Sequence, residues 1–102
     1  MKMFVSTGFK NRGQYEVRED IDRATDWFNK RYAFGEVVHN YDCVKPEQEH
    51  VKFERIWYVS EAIKKMADCE LVYFCEGWQN HNGCLVEYEV AKLYKIPMVF
   101  EE

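Results

Sequence analysis

Apolar and polar residues follow one another along the chain in blocks that predict four strands separated by three helices. Short apolar runs that end in polar or glycine residues predict buried strands; they cover residues 2–6, 36–41, 70–75 and 96–100. Longer stretches with apolar residues at helical spacing lie between them, at about 15–32, at about 47–67 and from Gly83 onward. The order βαβαβαβ predicts a three-layer α/β domain, flavodoxin- or Rossmann-like, with a mostly parallel four-stranded sheet.

The periodicity also predicts which side of each helix faces the sheet. In the first helix the apolar face carries Val17, Ile21, Ala24 and Phe28, and Asp20 is expected on another face with the other charged residues. The predicted inward stripe of the second helix contains Phe53, Ile56, Trp57, Ser60, Ile63 and Ala67. The expected strand order is 2-1-3-4, which brings the ends of the first and third strands together at one edge.

The composition fits one small folded domain spanning residues 1–102. Hydrophobic residues make up 47% of the chain and aromatic residues 17%, which excludes a disordered protein. The aromatic share is high for so small a core, so some rings are expected to serve a ligand pocket or a subunit interface. We therefore expect a homodimer or a higher homo-oligomer.

Charge and cysteine content limit the partners. The net charge is −4 and no run of Lys or Arg occurs, which argues against binding to polymeric nucleic acid or to a membrane but leaves a small anionic ligand open. The four cysteines have no metal-ligand spacing, so we expect neither a metal nor another cofactor. The lack of a signal peptide or long apolar segment predicts a cytoplasmic protein with reduced thiols.

Two polar segments lie where a parallel sheet of this kind binds ligands. Ser6, Thr7 and Gly8 lie at the exit of the first strand, and their hydroxyl and N–H groups are candidates for a sugar or phosphate; an ordinary turn is the alternative. Asn82, Gly83 and Cys84 open the third helix, whose free N–H groups favour an anion, although Asn82 is equally suited to capping the helix.

Glu87 and Trp78 are the remaining candidates. Glu87 lies just over one helical turn after Gly83, and its one-turn neighbours Gly83 and Ala91 are small enough to leave room for a ligand. The alternative is a solvated glutamate that only interacts with the helix dipole. Trp78, in the preceding loop, could stack on a base or could anchor the loop against the sheet.

Three stretches together resemble the nucleoside 2-deoxyribosyltransferase-like superfamily, in particular its small uncharacterised branch in bacteria and phages. They are MKMFVSTGF, ADCELVYFCEGW and NGCLVEYEVAKLYKIPMV, and the last keeps the superfamily spacing of Gly83, Glu87, Ala91, Pro97 and Val99. The resemblance implies an enzyme that cleaves the N-glycosidic bond of (deoxy)nucleosides or their monophosphates. Glu87 would be the nucleophile, with Ser6, Thr7, Gly8 and residues 82–84 around the sugar and phosphate.

The chain departs from the superfamily pattern at three positions. Ser60 stands near the place where an aspartate is usual on the preceding helix, with Glu61 beside it. Glu89 replaces a frequent glycine, and His81 replaces a frequent serine. Because no acid partner for Glu87 is evident, two alternatives to an enzyme remain open. One is a non-catalytic nucleotide- or metabolite-binding protein, and the other is a dimeric interaction module.

Overall fold

Four parallel strands form the centre of the structure, a computed structural model that describes residues 1–102. The strands are β1 (Lys2–Ser6), β2 (Glu36–Val38), β3 (Leu71–Phe74) and β4 (Met98–Phe100). Their order in the sheet is β2-β1-β3-β4, and every neighbouring pair is parallel. The predicted α/β fold and the predicted strand order are confirmed.

Three helices complete the layers: α1 (Gln14–Asn29), α2 (Glu54–Met66) and α3 (Asn82–Leu93), with a short 3-10 turn at Trp78–Asn80 before α3. Alternate residues of β1 point to opposite faces of the sheet. Met3 and Val5 pack with Ala24 and Phe28 of α1, whereas Phe4 packs with residues of α2 and α3. The sheet therefore lies between α1 on one side and α2 with α3 on the other. None of the helices has the length and apolar character needed to cross a lipid bilayer.

Helix α1 buries the predicted face, with one addition. Val17, Ala24 and Phe28 are buried, as their spacing predicts. Asp20, expected on another face, is also buried, with only 4% of its surface exposed. That expectation was wrong because positions 17, 20 and 24 share one side of a helix, and the carboxylate has partners there that the sequence does not reveal.

Helix α2 begins at Glu54, seven residues after the position predicted from its pattern. The preceding segment forms a separate turn, in which the Glu49 N–H donates to the Pro46 carbonyl. Lys45 Nζ donates to the Glu49 carbonyl, and Trp57 Nε1 donates to the Glu49 carboxylate. Side chains on both sides thus hold the segment as a turn, and its apparent helical pattern does not extend α2.

The predicted inward stripe of α2 was also wrong. Ala62 and Met66 are the buried residues of this helix, whereas Phe53 and Ile56 are 68% and 66% exposed. Because successive helical residues are about 100° apart, the true inward face is rotated by about one residue from the predicted one. A small residue, Ala62, faces the sheet, and an apolar surface is left on the outside of the domain.

Candidate functional site

The predicted site residues of β1 and α3 meet at one edge of the sheet. Ser6 is the last residue of β1 and lies opposite Phe74, the last residue of β3. Both strands therefore end at the same edge, and α3 starts at Asn82 after the loop that follows β3. This edge is the carboxyl end of the parallel strands, where open α/β sheets bind ligands.

Ser6 and Glu87 form the closest polar contact at this edge. The Ser6 hydroxyl donates a 2.7 Å hydrogen bond to Oε1 of Glu87. Both side chains are buried, with 1% and 7% of their surfaces exposed. Ser6 has this orientation because, like Phe4, it points to the α2 and α3 side of the sheet. The two residues, 81 positions apart in sequence, thus form one buried pair.

Burial raises the pKa of the Glu87 carboxyl to about 7, and the hydrogen bond from Ser6 opposes this effect without cancelling it. No basic side chain forms an ion pair with Glu87, so burial removes water from the carboxylate without supplying a countercharge. A carboxyl of this kind exchanges its proton near neutral pH, which is the property of a general acid, a general base or a nucleophile.

The second carboxylate oxygen of Glu87 has no protein partner. Oε1 accepts the Ser6 bond, whereas Oε2 accepts none. Among the side-chain nitrogen and oxygen atoms that are fully buried, only Nδ1 of His81 has no hydrogen-bond partner. Oε2 must therefore reach the molecular surface. A Cβ placed on Gly83 would lie 4.0 Å from this oxygen and 3.5 Å from Val59 Cγ2. A methyl group at residue 83 would make ordinary van der Waals contacts there, and glycine leaves that position beside Oε2 unoccupied.

The start of α3 is not capped by a side chain. The helix begins at Asn82, one residue earlier than predicted, and His81 holds the N-cap position without a side-chain hydrogen bond. Asn82 is the first residue of the helix rather than its N-cap. Cys84 is buried, and this burial raises the pKa of its thiol to about 12, against a smaller lowering by the nearby Ser6 hydroxyl. The Cys84 thiol is therefore a protonated packing group at neutral pH.

Thr7 and Gly8 are held by other parts of the chain. The Thr7 hydroxyl donates to Asp20 Oδ2 over 2.6 Å, on the α1 side of the sheet, and accepts from Arg12 Nη1. The His81 ring lies directly over Gly8, where a Cβ would collide with it. Ser6, Thr7 and Gly8 therefore contact three different elements. Gly8 is buried as well, and its carbonyl accepts a hydrogen bond from Arg12 Nη1.

Trp78 belongs to an aromatic cluster on the α3 side of the sheet. Its ring is stacked on Tyr88 with centroids 4.9 Å apart, and lies 5.0 Å from Phe74 and 5.6 Å from Phe100. These contacts anchor the loop after β3. With one face on Tyr88, the indole is half-buried rather than presented as a free platform.

Neither residue expected at the missing acid position reaches Glu87. The Ser60 hydroxyl donates to the Trp57 carbonyl of its own helix, and Glu61 pairs with Lys64 at 2.9 Å. Ser60 instead lines a surface cavity of about 270 Å³ together with Phe53, Ile56 and Trp57. Glu87 is thus a single carboxyl without a second acid beside it.

The sequence interpretation missed Asp20 at this edge and named His81 only as a departure from the superfamily pattern. Asp20 accepts hydrogen bonds from Thr7 and Arg12, and its position in the buried helical stripe was the available signal. His81 packs on Gly8, and its Nδ1 has no partner. Burial lowers the pKa of His81, and the nearby Arg12 charge lowers it further; no sequence pattern indicates this contact.

Residues 3–100 match the model of a protein family described as "Domain of unknown function (DUF4406)". No curated protein and no solved structure matches the chain. The family match extends over all four strands and all three helices, and it includes both Ser6 and Glu87.

Proposed function

The chain belongs to the DUF4406 family, whose description assigns no activity, and we propose that it binds a small nucleoside or nucleotide and cleaves its N-glycosidic bond. The observation that carries the proposal is the buried Glu87 carboxyl, bonded to Ser6 through one oxygen and open beside Gly83 through the other. The resemblance of the Gly83, Glu87 and Ala91 spacing to the nucleoside 2-deoxyribosyltransferase-like superfamily supports the same chemistry. The reaction is hydrolysis, or transfer of the sugar to a second base.

In the proposed reaction Glu87 is the nucleophile. Oε2 attacks the anomeric carbon while the bond to the base breaks, and the base leaves with the bonding electron pair and takes a proton from water. The product of this step is a glycosyl ester of Glu87. Water then hydrolyses the ester, or a second base displaces the carboxylate, as in retaining glycosidases. Ser6 holds Oε1 throughout and keeps Oε2 directed to the open side.

The ligand-binding surface is formed by backbone as much as by side chains. The uncapped N–H groups of α3 at Asn82, Gly83 and Cys84 favour a phosphate or a sugar hydroxyl. Gly8 is buried beneath the His81 ring and contributes by fixing the turn after β1. Trp78 contributes by fixing the loop before α3, and Thr7 by fixing the end of β1. No metal or other cofactor is required by this scheme, and the chain's four thiols are free, in keeping with a cytoplasmic protein.

The decisive experiment is release of free base from deoxynucleosides and their monophosphates. We expect the wild-type protein to release base, and Glu87→Ala to lose at least about 10³-fold in kcat/KM because the nucleophile is absent. Since only the ionised carboxylate attacks, the rate should rise with pH through about 7. Glu89→Gln, an exposed change on the same helix, is the matched control and should retain activity.

Two results would contradict this proposal in different ways. Base release by Glu87→Ala at the wild-type rate would remove Glu87 from the reaction. Binding without any base release would leave the second candidate, a non-catalytic nucleotide- or metabolite-binding protein. That candidate is favoured by one observation, the absence of an acid partner at Ser60 or Glu61.

A thermal-shift panel of nucleosides and nucleotides separates binding from a purely interaction-based role. A ligand that binds only the folded state raises the melting temperature with its concentration. If no member of the panel stabilises the protein, the third candidate, a dimeric interaction module, is favoured. The exposed Phe53 and Ile56 support a second copy of the chain as partner in any of the three cases.

A further inference from the structure

Asp20 is a buried carboxylate on the side of the sheet opposite Glu87. It lies on α1 with 4% of its surface exposed. Three groups donate to it: the Thr7 hydroxyl and Arg12 Nη1, both at 2.6 Å, and Arg23 Nη2 at 2.5 Å. Burial by itself would raise the pKa of Asp20, but these hydrogen bonds outweigh it and the pKa is lowered. Asp20 is therefore ionised at neutral pH.

The partners of Asp20 fix the backbone that follows Ser6. Arg12 Nη1, held by Asp20, also donates to the Gly8 carbonyl at 3.0 Å and to the Thr7 hydroxyl at 3.2 Å. Thr7 and Gly8 are thus tied from the α1 side at a side-chain hydroxyl and at a backbone carbonyl. These contacts leave the end of β1 little freedom to rotate or shift.

Ser6 directly precedes Thr7 and Gly8, and its hydroxyl donates to Glu87 on the other side of the sheet. Neighbouring residues of an extended chain point to opposite faces, so holding Thr7 toward α1 keeps Ser6 toward α3. The Ser6 bond to Glu87 Oε1 is 2.7 Å long. A rotation of the backbone at residues 6 and 7 would lengthen this bond and release the carboxylate.

Stability alone does not explain a buried cluster of this kind. A buried ion pair is often matched or exceeded in stability by apolar residues of similar volume, because desolvation of the charges offsets their attraction. The end of β1 also lies next to an apolar core of Val5, Ala24 and Cys75, where an apolar side chain at residue 20 would pack. The cluster is better explained by the geometry that it imposes on residues 6–8.

We propose that Asp20 is a positioning residue that acts through Thr7 and the β1 backbone to hold the Ser6 hydroxyl against Glu87. Its importance for chemistry rests on the proposed function of Glu87. The coupling itself is a property of the folded protein and is measured without any substrate.

The test is the titration midpoint of Glu87, followed by NMR of its side-chain carboxyl carbon in Asp20→Asn. The amide offers one acceptor oxygen in place of two and carries no charge, so the Thr7 hydroxyl and Arg12 Nη1 lose the carboxylate to which both of them donate. If the Ser6 bond weakens, the ionised form of Glu87 loses a donor and the midpoint moves upward, on the order of half a pH unit. Direct electrostatics predicts the opposite sign, because removing a nearby negative charge lowers the pKa of a carboxyl.

A double-mutant cycle identifies the route of the effect. Ser6→Ala should raise the Glu87 midpoint by itself, and Asp20→Asn should then have no further effect in the Ser6→Ala background. Asp22→Asn, an exposed change of the same charge on the same helix, is the matched control and should leave the midpoint unchanged.

Thr7→Val provides an independent variant if Asp20→Asn does not fold. It removes the Thr7 hydroxyl and leaves the charges of Asp20 and Arg12 in place. It should raise the Glu87 midpoint in the same direction. An unchanged or lowered midpoint in a folded variant, or an effect of Asp20→Asn that persists in Ser6→Ala, would overturn the proposal. Base-release activity decides separately whether Glu87 is a nucleophile, so the two conclusions fail independently.

Discussion

Replacing Glu87 with glutamine should make the protein more stable at alkaline pH than the wild type. The pKa of the carboxyl is about 7 in the folded chain and 4.5 as the reference for an exposed side chain. Between these values the folded state binds more protons than the unfolded state, so wild-type stability falls as pH rises through this window. Ionisation of Glu87 therefore lowers the folding stability of the wild type by about 3 kcal/mol at pH values above 7. Below pH 4.5 the carboxyl is protonated in both states, and this loss is absent.

Glutamine retains the carbonyl oxygen that accepts the Ser6 bond and does not ionise, so it removes only this pH-dependent cost. We expect the stability of Glu87→Gln relative to wild type to increase by about 2 to 3 kcal/mol between pH 5 and pH 8.5. Urea unfolding followed by tryptophan fluorescence at several pH values measures the difference. Groups that titrate in both proteins cancel from it, and Glu89→Gln on the same helix controls for the change in composition.

A relative stability that stays constant from pH 5 to pH 8.5 would refute the reasoning. It would mean that the Glu87 carboxyl is as well solvated in the folded chain as in the unfolded one. The burial of Glu87 and its single protein donor would then fail to explain its electrostatics, and the central argument for a reactive carboxyl would be lost.

Two further perturbations test the surroundings of the site. Gly8→Ala should lower the free energy of unfolding by about 1 to 3 kcal/mol in a denaturant titration, because the new methyl group collides with the His81 ring. Gly13→Ala, where a Cβ meets nothing within 4 Å, is the control, and an equal loss of stability in both variants would contradict the contact. Ile56→Asp should convert a dimer to the 12.3 kDa monomer in sedimentation equilibrium, whereas Tyr15→Asp on α1 should not. A monomeric wild type would refute the predicted association.

The fold could be predicted because strand and helix periodicities in this chain are local signals. The β1 run, the α1 stripe at Val17, Ala24 and Phe28 and the order of elements all follow from spacing alone. The inward face of α2 could not be predicted in the same way. Both of its candidate faces carry apolar residues, so periodicity does not decide which one turns inward. The inward face contains the small, buried residue Ala62, which permits a close approach of the helix to the sheet.

The candidate site was predictable in its position and less so in its contacts. Ser6 and Glu87 were expected at the same edge from strand order, and they meet there. Asp20 was assigned to the outside because of its charge, although its position in the helix places it inside. Trp78 had two open interpretations, because only the folded chain shows that Tyr88 lies within stacking distance. Contacts between distant segments of this kind carry no local signal.

The contrast between the two buried carboxyl groups explains why a ligand is expected at only one of them. Asp20 has three donors, and the pKa of its carboxyl is lowered. Glu87 has one donor, and the pKa of its carboxyl is raised. A donor that a ligand brings to Oε2 would favour the ionised form of Glu87, so binding and loss of a proton are thermodynamically linked. Under the proposed function, a ligand group placed at Oε2 would supply the partner that this oxygen lacks in the free protein.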